Sequence, residues 1–118
     1  MQANANANPP VTKRARRKIE FCRLVVDVEF ELPPPRFEAQ DFGALIECAI
    51  RQILGQAGLS KIVELPVDPP VENRSWVVVR RSDLHLVWAA LNIYGMHCGL
   101  PVAVRLHKVN QLPNYQFN

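Results

Sequence analysis

The sequence predicts an α+β domain in the order βαββαβ, a four-stranded antiparallel sheet with two helices on one face. Three observations predict it. Period-two apolar runs mark strands at both ends of the chain, two segments repeat their apolar residues at helical spacing, and a β-branched run lies between those segments. The first strand spans Ile19 to Leu32. Cys22, Leu24, Val26, Val28, Phe30 and Leu32 share one face, and Arg23, Asp27, Glu29 and Glu31 share the other. Pro33, Pro34 and Pro35 end it, because none can donate a ladder hydrogen bond.

The first helix starts near Ala39–Asp41, with Phe42, Leu45, Ile46, Ala49 and Ile53 as its apolar stripe. Gly55 and Gly58 can end it, Gly58 being the better C-cap. SKIVELPV, residues 60–67, reads as a modest second strand, broken by Asp68-Pro69-Pro70. SWVVVRR, residues 75–81, is a strongly β-branched third strand. Ser82 or Asp83 caps the second helix, whose core stripe is Leu84, Val87, Trp88 and Leu91. Gly95 and Gly99 bracket a loop before the last strand, PVAVRLHKV, residues 101–109. Val102, Val104 and Leu106 face one way there, and Ala103, Arg105 and His107 the other. Right-handed crossovers fold this order into a ferredoxin-like, or RNA-recognition-motif-like, sandwich.

The 118 residues amount to one domain, and 48% hydrophobic with 21% charged residues excludes a disordered or fibrous chain. No apolar run reaches the roughly 20 residues that cross a bilayer, and no signal-peptide pattern opens the chain. Cys22, Cys48 and Cys98 lack CxxC spacing, which points to a reducing compartment. Together these predict a small soluble intracellular domain. Residues 1–18 hold five basic and no acidic residues, whereas the remainder holds nine basic and eleven acidic. The net charge of +3 therefore belongs to an arm. MQANANANPP lacks apolar surface to order itself, and KRARRK is solvated until an acidic partner neutralises it. The chain thus divides into a disordered basic arm (1–18), a folded domain (19–112) and a short tail (113–118). The arm reads as a nuclear localisation signal or an RNA-backbone contact.

No catalytic constellation is legible. A phosphate cradle after the first strand needs consecutive N–H donors, and LPPPRFEAQ supplies prolines. His97 and Cys98 are adjacent and have no second pair at zinc spacing. Base stacking on the sheet would need paired aromatics, whereas SWVVVRR offers only Trp76 and the first strand sets Asp27, Glu29 and Glu31 beside Phe21. RNA contact is therefore expected at phosphates, through Lys13, Arg14, Arg16, Arg17, Lys18, Arg80, Arg81, Arg105 and Lys108, where basic groups gather without matching carboxylates. The second helix is apolar on two sides. Leu86, Ala90 and Ile93 cluster opposite the core stripe and predict a partner interface.

Asp83 to Asn110, DLHLVWAALNIYGMHCGLPVAVRLHKVN, resembles the small protein subunits of eukaryotic and archaeal ribonuclease P. The residues that carry the resemblance are Val87-Trp88, Ala89-Ala90-Leu91, Tyr94-Gly95 and Val104-Arg105 with Val109. The strand ending in Arg80-Arg81 agrees, and the likeness covers about residues 19–112. Val109-Asn110-Gln111-Leu112-Pro113 stops short of the helical extension of one paralogue, which favours the fourteen-kilodalton subunit type.

The resemblance implies a non-catalytic subunit of the ribonucleoprotein that removes the 5′ leader of precursor tRNA. The chain would bind no cofactor, the particle's RNA holding the catalytic magnesium. Implied partners are that RNA, a barrel-fold protein subunit of about thirty kilodaltons and a paralogous small subunit. The nucleus, and the nucleolus within it, is the implied location. Membership of the related RNase MRP, which processes ribosomal RNA, and an RNA-independent interaction module on the same fold are the alternatives.

Overall fold

A computed structural model describes residues 18–116. Lys13, Arg14, Arg16 and Arg17 lie outside the described residues. The elements are β1 (Phe21–Phe30), α1 (Ala39–Leu54), β2 (Arg74–Arg80), α2 (Leu84–Ile93), β3 (Met96–His97) and β4 (Leu100–Gln111). They form an α+β domain with a four-stranded antiparallel sheet in the order β2-β1-β4-β3. This architecture is consistent with a ferredoxin-like βαββαβ fold.

The alternation in β1 sets the core. Cys22, Leu24, Val26 and Val28 are buried against Phe42, Leu45, Ile46, Ala49 and Ile50 of α1 and Val87, Ala90 and Leu91 of α2. Ile50, not Ile53, completes the α1 stripe, and Ile53 is exposed. The Glu38 N–H donates to Asp41 Oδ2 at 2.9 Å, a reciprocal cap that starts the helix.

Gly55 is the C-cap, with φ 79°, in place of Gly58. Gly58 sits instead inside a 3₁₀ turn over Gln56–Lys61, where an added Cβ would stand 2.6 Å from Leu54 Cβ.

The predicted strand over residues 60–67 is reduced to one bridge, Glu64 with Val78, on the outer edge of β2. Ser60 and Lys61 are taken into the 3₁₀ turn, and Pro66 has no N–H to continue a ladder. The bridge still occupies the outermost place that a second strand holds in the βαββαβ plan. At the opposite edge of the sheet, β3 and β4 form a short hairpin through Cys98 and Gly99. Both turn residues have positive φ, as a two-residue turn of this kind requires.

One irregularity sets the sheet's outer face. Val25 pairs with Lys108 and Val26 with Leu106, so His107 is an extra residue on β4. Simple alternation would send Arg105 and Lys108 to opposite faces. The bulge aligns both with Val25 and Asp27 on the face turned away from the helices, and returns Val109 to the core side.

Candidate functional site: the outer sheet face and the exposed side of the second helix

The register places Phe21, Arg23, Val25, Asp27 and Glu29 of β1 on the outer face, with Arg74, Trp76, Val78 and Arg80 of β2 and Arg105, Lys108 and Asn110 of β4 beside them. Its carboxylates are neutralised one by one. Asp27 accepts from Arg74 Nε at 2.6 Å and from Nη2 at 3.1 Å, which holds its carboxyl below the usual range. Glu29 pairs with Arg105 at 2.8 Å. Of the three carboxylates expected to make this face acidic, Asp27 and Glu29 are ion-paired and Glu31 falls past the end of β1, so Arg105 is not a cation without a carboxylate. Neither is Arg81, whose Nη1 donates to Glu20 Oε1 at 3.1 Å. Both correct the sequence reading, which had no means of placing their partners across the sheet. Arg80 is half-buried and Lys108 exposed.

The upper half of this face carries an aromatic layer. The Arg23 guanidinium lies 4.5 Å from the Trp76 ring centroid, and its buried Nε has no hydrogen-bond partner among the described residues. Phe21 meets Tyr115 of the C-terminal tail at 5.0 Å between centroids. Burial, and then the Glu64 carboxylate that accepts the Tyr115 hydroxyl proton, push the Tyr115 phenol up to about 12. Val78, although on the outer face, is fully buried. Tyr115 is the residue that the sequence reading missed. Its signal was a tyrosine, with Phe117 one of two aromatics in a short tail, but only the fold brings it back to β1.

Lys18, Arg80 and Arg81 are brought together around the start of β1, beside a groove that Ile19 and Glu20 also line. Lys18 Nζ donates to the Pro113 carbonyl at 3.4 Å. Lys108 stands apart, farther along the sheet opposite Val25.

On the helical side, Leu86 is 46% and Ile93 63% exposed, while Ala90 is fully buried in the core. Ala90 is therefore not an interface residue. The helix is rotated from the sequence reading, so that its core meridian runs through Val87, Ala90 and Leu91 and carries Trp88 to the half-buried margin. Leu86, Ala89 and Ile93 line the exposed side, and Met96 and Leu100 in the following hairpin are exposed as well.

Asp83, the N-cap, makes no capping bond. Its Oδ1 instead accepts from Lys61 Nζ at 3.2 Å, tying the start of α2 to the 3₁₀ turn.

Tyr94 and His97 form a third cluster. The Tyr94 hydroxyl lies 2.6 Å from His97 Nδ1, and with the ring proton on Nε2 it donates there. Burial, with the neighbouring Cys48 and Cys98 adding to it, pushes Tyr94 up to about 12, and burial pushes His97 down. Cys22 is buried and its thiol is raised for the same reason. Among the described residues no three His, Cys, Asp or Glu side chains are grouped to hold a metal. No protein-family model matches this chain, and no curated protein matches it significantly.

Proposed function

We propose that this chain is a non-catalytic protein subunit of ribonuclease P, scaffolding the particle's RNA and a larger protein subunit during 5′ maturation of precursor tRNA. The exposed apolar side of α2 carries the proposal. Leu86 and Ile93 stay out of the core although they belong to the stretch, Asp83 to Asn110, that resembles the family. An apolar helix face of this kind suits a protein partner. Lys18 and Arg80 at the start of β1, with Lys108 and the basic arm, suit RNA phosphates. Within the particle the protein's part is positional, and magnesium belongs to the RNA. Membership of RNase MRP follows the same logic.

A second reading, an RNA-independent interaction module, is favoured by the ion pairing of Arg81 and Arg105, which removes two cations from phosphate contact. Depleting the protein from its own cells separates the two. Precursor tRNA with unprocessed 5′ leaders accumulates in the first case, and leader processing is unchanged in the second.

A further inference from the structure

We infer that the upper half of the outer sheet face is a stacking site for single-stranded RNA, and that Tyr115 occupies it in the free protein as a stand-in for a base. The inference rests on the reading of the chain as an RNA-associated protein and assigns that contact a place. Base stacking needs planar groups beside cations. Phe21 and the Arg23–Trp76 stack supply the planes, and Tyr115 lies on Phe21 where a base would. Phe21 and Trp76 lie on adjacent strands about four residues apart in register, roughly 13 Å, with Arg23 between them.

Charge complementarity selects a nucleic acid over an apolar partner. Arg80 stands opposite Phe21 and Lys108 opposite Val25, while Asp27 and Glu29 are already satisfied by Arg74 and Arg105. The β4 bulge is what brings Lys108 to this face.

The tail is held in a way that permits displacement. Its ring lies on Phe21, its hydroxyl donates to exposed Glu64, and its backbone is tied by the Leu112 N–H to the Phe21 carbonyl. Tyr115 also feels the charge of Arg23, whose buried Nε has no acceptor among the described residues. Removing the tail leaves Phe21 without its ring partner and opens the layer to a base.

The test is fluorescence anisotropy of the full-length protein with a short labelled oligoribonucleotide at low salt. Trp76→Leu, folded by thermal melt, is expected to weaken binding about tenfold, the loss of one stacked base, and Trp76→Phe to retain it. Tyr115→Ala is expected to tighten binding severalfold. Lys108→Gln, an exposed change that leaves folding intact, is expected to lower the log–log salt slope by about 0.7. A duplex of the same sequence should fail to compete, because its bases are already stacked.

No binding by either the parent or Tyr115→Ala overturns the inference, as does an unchanged slope in Lys108→Gln. Weaker binding by Tyr115→Ala overturns the displaced-tail geometry. Oligonucleotide binding through Trp76 without co-purifying tRNA-processing RNA keeps this site and defeats the ribonuclease P reading. Co-purifying RNA without Trp76-dependent binding does the reverse.

Discussion

Ala90 and Ile93 stand three residues apart on α2, one fully buried and the other 63% exposed, and exchanging side chains there tests the rotation of the helix. Ala90→Leu inserts three heavy atoms into a core that also holds Val87, Leu91 and the α1 stripe. Close-packed interiors resist such additions at about 1–3 kcal/mol. For a domain of this size each kcal/mol lowers the melting temperature by roughly 4–8 °C, so a drop between about 5 and 20 °C is expected. Ile93→Gln changes an exposed position and should stay within about 0.5 kcal/mol. Urea unfolding followed by circular dichroism reads both, with the midpoint shifting and the slope constant if the native state is otherwise preserved. A destabilising Ile93→Gln beside a neutral Ala90→Leu would put the core meridian on the other side of the helix and refute the packing described above.

Gly58→Ala is expected to destabilise by about 1–3 kcal/mol, since its Cβ would meet Leu54 Cβ at 2.6 Å, whereas a neutral result in the same unfolding assay would mean the 3₁₀ turn shifts freely. His97 is held below its ordinary pKa by burial, so between the folded and unfolded values the unfolded chain binds the extra proton. Stability should therefore fall as pH drops through and below about 6.5, and His97→Gln should flatten the melting profile in that window. Leu86→Gln combined with Ile93→Gln should leave the melting temperature nearly unchanged while abolishing capture of the protein partner; retained capture would move the interface elsewhere. Deleting residues 1–18 should reduce the salt slope of RNA binding by about 0.7–0.9 for each phosphate-contacting cation removed, and an unchanged slope would take the arm out of the interface.

The strands and helices were legible where pattern alone decides them. The alternation from Cys22 to Val28 assigns one face to the core, and the β-branched run at Val77–Val79 predicts a strand; the structure adopts both. What escaped depends on contacts distant in sequence. Residues 60–67 contain strand-forming Ile62 and Val63, but the 3₁₀ turn and Pro66 leave room for a single bridge. Ala90 fits either side of an amphipathic helix by size, and only packing against the sheet and α1 chose the buried one. For the candidate site, the cations could be named from the sequence but not their state. Glu20 and Glu29, each close to its partner only in the fold, claim Arg81 and Arg105. The His107 bulge and the return of Tyr115 to Phe21 leave no local signature either, and together they shape the outer face.

Affinity purification of the full-length protein from its own cells, with sequencing of the bound RNA, tests the central claim most directly. Membership of the particle predicts one enriched structured RNA, together with precursor-tRNA cleavage activity in the eluate that is lost on nuclease treatment. An eluate rich in protein partners but free of tRNA-processing RNA would contradict it.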